Sequence, residues 1–127
     1  MKRIRPVIFA LAAALIIKLF VFDFIIANGH SMEPAFTDGN ILLISRIRYG
    51  LRLPFFFNAQ YLVKWARPRT GDVIVFYTPD GELAVKRCVR VENSFFYAEG
   101  DNSLASYDSR AYGRVPAENI IGKVLGH

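Results

Sequence analysis

A serine and a lysine are the residues of this chain whose types and positions best fit covalent chemistry. Ser31 lies in the segment 29–34, directly after a hydrophobic N-terminal stretch, and Lys86 follows the β-like run 82–85. A serine hydroxyl is a weak nucleophile until a neighbouring base takes its proton. A lysine amine can be that base when burial lowers its pKa toward the working pH. The pair therefore predicts nucleophilic attack on a carbonyl, without a metal or a cofactor.

Two other interpretations compete with this pair. The chain has two histidines: His127 is the last residue, and His30 adjoins Ser31. Because neighbours on an extended chain point to opposite sides, His30 is a poor candidate for the base of Ser31. Lys86 is also one of 16 basic residues and would be an ordinary surface charge on an exposed strand. Spacing alone does not decide between a base and a surface charge.

The first element that must position the pair is the hydrophobic N-terminus. Three basic residues come first: Lys2, Arg3 and Arg5. The apolar run after them continues to Phe22 and is interrupted once, by Lys18. As a helix, residues 1–22 would be roughly 33 Å long, enough to span a hydrocarbon core of about 30 Å. We therefore expect an uncleaved single-pass anchor over 1–22, with a cytoplasmic N-terminus and an extracytoplasmic domain over 23–127. A cleavable signal peptide is the alternative, but no convincing small-x-small site follows the apolar core.

The remainder of the chain has the periodicity of β-strands. Extended segments rich in β-branched and aromatic residues are predicted at 20–26, 41–44, 73–77, 82–91, 95–98 and 120–125. Residues 73–91 form a predicted hairpin around a Pro-Asp-Gly turn. The stretch 45–69 is predicted to be a long irregular loop, and 99–113 a structured loop. The fold is therefore predicted to be mostly β, with a transmembrane helix followed by a small antiparallel β domain.

Composition limits the kinds of partner. The net charge is +5, but the basic residues are scattered, so the charge fits anionic lipid better than nucleic acid. Residues 55–57, three phenylalanines within a basic and aromatic stretch, suit a lip at the membrane interface, with packing in the core as an equal alternative. Cys88 is the single cysteine, so no internal disulfide is possible, and it is predicted to be a small buried hydrophobe.

Five segments, in this order, resemble motifs of the type I signal peptidases, the membrane-bound proteases that remove signal peptides with a serine and a lysine. Residues 31–36 are similar to Ser-Met-x-Pro-Thr-Leu, and residues 69–76 to the Gly-Asp-Val/Ile-x-x-Phe strand. Residues 100–110 match Gly-Asp-Asn-x-x-x-Ser-x-Asp-Ser-Arg. Residues 49–54 and the pair 86–87 complete the series. The resemblance covers nearly the whole chain and implies the β domain of this family.

The resemblance also implies roles for individual residues. Ser31 would be the nucleophile, Lys86 the general base, and the Ser31 backbone N–H a donor to the oxyanion. Supporting roles are implied for five residues of the last motif: Ser106 would hydrogen-bond the lysine, Asp108 and Arg110 would hold the loop as an ion pair, and Asp101 and Asn102 would shape its turn.

The implied activity is cleavage of exported preproteins at the membrane, after small residues in an Ala-x-Ala pattern. Six residues are implied to line the pockets that select those small residues, although each could simply belong to the core: Ile25, Ala27, Met32, Phe36, Leu42 and Val85. The implied partners are signal peptides, membrane lipid and the secretion translocon, and the implied location is the inner or plasma membrane.

Three departures from the family pattern keep other interpretations open. Gly29 has no hydroxyl where some members have a serine, and Ala35-Phe36 replaces Thr-Leu. The stretch 88–99 is too short for the extra β domain that larger members insert there. A specialised Ser/Lys maturation protease with one or few substrates is therefore a rival function. A membrane-anchored binding module that has lost activity is another, but both Ser31 and Lys86 are intact.

Overall fold

The protein is mostly β, as predicted, and its strands are preceded by one N-terminal helix. The structure is a computed structural model that describes residues 2–52 and 61–127. The helices and helical turns are α1 (Ile4–Ile16), a π-helical turn (Ile17–Val21), 3₁₀ turns at Ser103–Ala105 and Ala117–Asn119, and α2 (Ser109–Tyr112). The strands are β1 (Phe22–Ile26), β2 (Ile41–Ser45), β3 (Gly50–Arg52), β4 (Tyr61–Lys64), β5 (Val73–Tyr77), β6 (Leu83–Glu92), β7 (Phe95–Glu99), β8 (Val115–Pro116) and β9 (Ile120–Val124).

Seven of these strands form one antiparallel sheet. Its order is β1-β2-β9-β5-β6-β7-β8, and β3 pairs with β4 in a separate two-stranded sheet. Residues of β1 and of β6 line the same cleft, although β2, β9 and β5 lie between them in the sheet. The sheet must therefore curl, so that its first strand approaches its fifth.

The central strand β5 divides the core into two clusters. Its side chains alternate: Val73 and Val75 pack into one cluster, and Ile74 and Phe76 into the other. All four are at most 1% exposed, which explains why the strand is β-branched and aromatic without polar alternation. Burying each such side chain stabilises the fold by about 1.5–3 kcal/mol. The first cluster also contains residues that follow β1, so the core supports the segment that carries Ser31.

The predicted hairpin over 73–91 is confirmed as β5 and β6, in which Ile74 pairs with Lys86. The strands predicted near 41, 95 and 120 are present as β2, β7 and β9. Strand β6 passes into β7 through the short turn at Asn93 and Ser94. Asn93 has a φ of 48°, a left-handed conformation that asparagine tolerates better than most residues.

The prediction of a long irregular loop over 45–69 was wrong in part. Strands β3 and β4 lie within it and pair with each other. Arg52 is 6% exposed, and its guanidinium donates to the backbone carbonyls of Glu118 and Ile120. The Tyr61 hydroxyl donates to the same Ile120 carbonyl at 2.6 Å. These long-range bonds hold the segment against β9, which local composition could not reveal. Residues 55–57 lie outside the described residues.

The N-terminal segment also differs from the prediction. The chain stays helical through the π-helical turn Ile17–Val21, so the first strand begins at Phe22 rather than at Phe20. Over residues 2–52 and 61–127, no helix combines the length and the hydropathy needed to cross a bilayer.

Candidate active site

The turn that carries Ser31 is held by hydrogen bonds on both sides of the serine. Before it, Gly29 has a φ of +84°, which favours glycine, and its N–H donates to Asp38 Oδ1 at 2.7 Å. The Asn102 backbone N–H donates to the Ser31 carbonyl at 2.8 Å, and its side-chain amide donates to the His30 carbonyl at 3.1 Å. The backbone around the serine is therefore fixed by residues distant in sequence.

Lys86 and Ser31 are in direct contact. Lys86 Nζ donates to Ser31 Oγ with an Nζ–Oγ distance of 2.7 Å. Lys86 is only 7% exposed, and its strand position opposite Ile74 holds its backbone in the centre of the sheet. At this distance a proton can pass between the two atoms without an intervening water.

The environment of Lys86 favours its neutral form. Burial is the main cause that lowers the pKa of Lys86 below the ordinary value, because the ammonium loses hydration. The negative charge of Asp108 opposes this effect, and the positive charge of Arg110 adds to it. Because burial dominates, a larger fraction of Lys86 is neutral near physiological pH than for an exposed lysine.

Asp108 organises the loop next to the lysine. It is 1% exposed and accepts hydrogen bonds from Ser106 Oγ at 2.5 Å, from the Gly100 N–H at 2.9 Å and from the Arg110 N–H at 3.0 Å. The Arg110 guanidinium binds both carboxylate oxygens, with distances of 2.9 and 2.5 Å. Burial alone would raise the pKa of Asp108, but the bonds from Arg110, Ser106 and the backbone outweigh it and hold the pKa well below the usual range.

Ser106 takes a different position from the one the sequence implied. Its hydroxyl donates to Asp108, and within the described residues the hydrogen-bond partner of Lys86 Nζ is Ser31. A carboxylate is a stronger acceptor than a neutral amine, so the serine hydroxyl turns toward it. Ser106 is thereby linked to the lysine through the field of Asp108 rather than by a direct bond.

Arg87 ties the same loop to β6. Its guanidinium makes a bidentate pair with Asp101, at 2.9 and 2.8 Å, and also donates to the Gly71 carbonyl at 2.9 Å. Arg87 belongs to the motif pair 86–87, but no role was predicted for it from the sequence. The signal was its position directly after the lysine on a strand, where it must point away from Lys86 and toward other elements.

A cleft of about 400 Å³ runs past Ser31 and Lys86. Five of the six residues proposed to line substrate pockets are in its wall: Ile25, Ala27, Met32, Phe36 and Val85. Leu42 is not in the wall; it packs in the core cluster beneath, because it points inward from β2. Other residues of the wall were not predicted from the sequence, among them Asn28, Thr78, Glu82, Ala105 and Tyr107. Ala105 and Tyr107 flank Ser106. Because neighbours on an extended chain point to opposite sides, an inward-facing Ser106 could have indicated that both face the cleft.

Among the residues that the structure describes, two strand edges in the cleft have no pairing strand. On β6, residues 83–86 pair with β5 on one side, and β7 begins to pair only at Arg87. Strand β1 pairs with β2 on one side. Both strands therefore present backbone N–H and C=O groups to the cleft, where an extended peptide could complete the pairing.

Comparison with known proteins identifies the family. The profile described as "Signal peptidase, peptidase S26" matches residues 1–92 and 83–126. The chain belongs to this family. Several relatives named signal peptidase I are similar to it. The one from Haemophilus influenzae is 30% identical over 82% of this chain and 31% of its own length. For Bacillus caldolyticus the identity is 26%, over 94% of this chain and 86% of the relative. For the Pseudomonas fluorescens relative the identity is 29%, over 98% of this chain and 40% of the relative. The chain thus spans less than two thirds of the Haemophilus and Pseudomonas relatives.

Two other reactive side chains lie near Ser31 and Lys86 in this S26 peptidase chain, and neither is placed to react. His30 Nδ1 lies 2.6 Å from Glu33 Oε1, and the His30 side chain is 65% exposed. The Glu33 carboxylate raises the pKa of His30, so this histidine is occupied by a partner other than Ser31. Cys88 is fully buried, and burial raises the pKa of its thiol to about 11. A buried, protonated thiol is a poor nucleophile.

Gly100 is a tightly packed position of the S26 peptidase site. A Cβ there would lie 2.2 Å from Ser106 Oγ and 2.6 Å from the Ser31 carbonyl oxygen. We expect Gly100→Ala to displace one of these groups, to lower kcat at least about tenfold, and to reduce the free energy of unfolding by about 1–3 kcal/mol. Peptide cleavage and thermal unfolding measure the two effects.

The matched control is Gly126→Ala, because nothing lies within 4 Å of a Cβ added there, although its φ of +82° carries backbone strain. That variant should lose some stability and retain kcat. A Gly100→Ala protein with unchanged kcat would show that the contact with the serine turn is not needed for activity.

Proposed function

We propose that this chain is a membrane-anchored serine endopeptidase that removes N-terminal signal peptides from exported preproteins with a Ser31/Lys86 dyad. The observation that carries the proposal is the 2.7 Å contact between Lys86 Nζ and Ser31 Oγ, made by a lysine that is 7% exposed. Burial removes the main obstacle to lysine as a base, which is its high ordinary pKa. Membership of the signal peptidase family supports the same chemistry.

The reaction follows from these atoms. Neutral Lys86 takes the Ser31 proton as Oγ attacks the scissile carbonyl, and the resulting ammonium donates that proton to the leaving amine. A water then attacks the acyl-enzyme, with Lys86 taking its proton and returning it to Ser31. The Ser31 N–H has no hydrogen-bond acceptor within the described residues, so it is free to donate to the oxyanion.

Asp108 has an indirect role in this proposal. Its charge raises the pKa of Lys86, while burial and Arg110 lower it, so the loop adjusts the pKa of the base rather than reacting. Ser106 and Arg110 hold the carboxylate, and Asn102 holds the serine turn. These residues are positioning residues, and the dyad carries the chemistry.

Substrate selection rests on the apolar wall beside the dyad. Ala27, Met32 and Phe36 are at most 6% exposed, so this part of the wall is close-packed. A peptide paired to the open edges of β1 and β6 would place alternate side chains against this wall. Small side chains would fit and large ones would be excluded, with Phe36 narrowing the pocket further.

The membrane is the proposed setting. Helix α1 buries none of its side chains, and each of its large apolar residues is more than half exposed; Phe9 is 73% exposed and Leu11 67%. Phe24 and Ile41, on the outer side of β1 and β2, are 65% and 71% exposed. This apolar surface adjoins the cleft. We propose that residues 1–22 anchor the chain with a cytoplasmic N-terminus and that residues 23–127 act outside, on lipid-bound substrates delivered by the translocon.

The function is tested by incubating the detergent-solubilised full chain with several preproteins and sequencing the N-terminus of each product. We expect cleavage directly after an Ala-x-Ala sequence. Replacing the alanine before the cut with leucine should lower kcat/KM by about 10- to 200-fold or more. Cleavage of one preprotein alone would favour the specialised maturation protease. No product from any preprotein would favour an inactive binding module.

A further inference from the structure

The cleft has a second end, away from Ser31, and its residues take no part in the proposed chemistry. Glu82 directly precedes β6 and lies in the cleft wall with an exposed side chain. Its backbone position is fixed, because its N–H donates to Thr78 Oγ1 at 3.1 Å and its carbonyl accepts from the Thr78 N–H at 2.8 Å. The exposed Glu82 side chain therefore extends from a tight turn in the wall of the cleft.

Tyr107 is the aromatic residue at this end of the cleft, near enough for the Glu82 charge to act on it. It lines the cleft and is 59% exposed. The edge of its ring contacts Tyr112, with centroids 5.1 Å apart, and its hydroxyl donates weakly to Asp80 Oδ2 at 3.4 Å. The charges of Asp80 and Glu82 both raise the pKa of Tyr107, so both carboxylates act on the ring. The Tyr107 ring is thus fixed by its contacts with Tyr112 and Asp80, and it lies in the field of two carboxylates.

The anionic charge at this end has no cation to balance it. Across residues 2–52 and 61–127, neither Asp80 nor Glu82 forms an ion pair. Other acidic residues near the site do have cationic partners: Asp101 pairs with Arg87, and Asp108 with Arg110. In a protein of net charge +5, an unbalanced carboxylate in the substrate cleft is available to a cation of the substrate.

The register gives the position of that cation. Residues before the cut occupy the wall that includes Val85, so the substrate runs from Lys86 toward Glu82. Glu82 and Lys86 are four residues apart, and an extended peptide rises by about the same 3.3 Å per residue as the strand beside it. The residue opposite Glu82 is therefore about four positions upstream of the residue that is cut.

We propose that Glu82 and Tyr107 form a subsite for a lysine or arginine side chain of the substrate, about four residues upstream of the cleaved bond. The carboxylate would pair with the cation, and the tyrosine face would cover its methylene stem and attract its charge. This inference rests on the proposed function, which it deepens by naming the preferred substrate class: precursors with a basic residue in the segment before the Ala-x-Ala sequence. Because the subsite is exposed, the expected preference is about three- to tenfold.

The test uses the full chain in detergent and a peptide series with Lys, Gln or Glu placed in turn four to seven residues before the cut, upstream of the Ala-x-Ala sequence. We expect kcat/KM to be highest for Lys and lowest for Glu at one of these positions, through KM rather than kcat. In Glu82→Gln the ratio of Lys to Gln substrates should fall to about one, and in Glu82→Lys the preference should invert toward Glu. Tyr107→Leu should reduce the ratio in part. Added salt should also reduce it.

Glu92→Gln is the matched control, because Glu92 is at the other end of the same strand, outside the cleft wall, where it pairs with Arg90. It should keep the wild-type ratio. Equal cleavage of Lys, Gln and Glu substrates at every position would overturn the subsite and leave the peptidase function standing.

Peptide binding to a Ser31→Ala variant tests the subsite separately from the proposed peptidase function. Tighter binding of the Lys peptide than of the Gln peptide, lost on adding Glu82→Gln, would support the subsite even if the wild-type protein cut nothing. Equal binding of the two peptides would overturn it.

Discussion

Ser31→Ala should reduce the turnover of a cleavable preprotein by at least about 10⁴-fold, because no other side chain in the site can replace the hydroxyl. Cys88 is fully buried with a raised thiol pKa, and Ser106 donates its proton to Asp108. The fold should persist, since the hydrogen bonds that fix the turn involve the backbone of residues 29–31 and not Oγ. Single-turnover cleavage measures the loss, and thermal unfolding verifies that the protein remains folded.

Ser103→Ala is the control for this change. Ser103 is an exposed serine in the same loop as Ser106, and it lies outside the cleft wall. Its replacement should leave turnover close to that of the unmodified protein. If Ser31→Ala retained a tenth of the activity, the nucleophile would have to be sought elsewhere.

Loss of the base should be nearly as damaging. Lys86→Met keeps a long unbranched side chain but removes the amine, and we expect kcat to fall by at least about 10³-fold. Lys86→Arg should fail to a similar extent, because a guanidinium stays protonated at any usable pH. Wild-type kcat/KM should rise with pH as Lys86 loses its proton, with the midpoint below the ordinary lysine value of 10.5, since burial lowers its pKa.

The same lowered pKa has a consequence for stability with a definite sign. The unfolded chain holds the Lys86 proton more tightly than the folded chain does, so protonation destabilises the fold at low pH. This penalty is complete below the folded pKa and disappears above 10.5. Lys86→Met should therefore unfold at a higher temperature than wild type at pH 6, and the difference should shrink as the pH rises toward 10.

A wild-type rate independent of pH between 6 and 9, or an active Lys86→Arg, would contradict the assignment of Lys86 as the base.

The parts of this structure that follow from the sequence are those with local signals. The run 73–77 is β-branched and aromatic, and the turn after it contains glycine, so the β5–β6 hairpin was predictable. The contact of Ser31 with Lys86 was expected from a resemblance, since nothing in the spacing of the two residues requires it. The hydrogen bonds that fix the turn of Ser31 could not be predicted from the sequence. They involve Asp38 and Asn102, which reach the turn only when the loops pack together in the folded protein.

Elsewhere the deciding interactions are non-local or competitive. Strands β3 and β4 were missed because their partners include carbonyls near residue 120, far along the chain. The role of Ser106 differs because two acceptors compete for one hydroxyl, and the buried carboxylate of Asp108 wins. A sequence pattern identifies which residues meet in such a loop, but it does not rank the acceptors.

The direct joining of helix and sheet would limit where this S26 peptidase can cut if α1 lies in a bilayer. Strand β1 starts at Phe22, immediately after the helical segment, and the junction is closed by the Arg46 N–H on the Val21 carbonyl and by the Arg46–Asp23 ion pair. Even a fully stretched chain from Phe22 to Ser31 reaches only about 30 Å. With the helix in a bilayer, the dyad would work at a nearly constant height, so the depth of a precursor in the lipid would help to choose the bond that is broken.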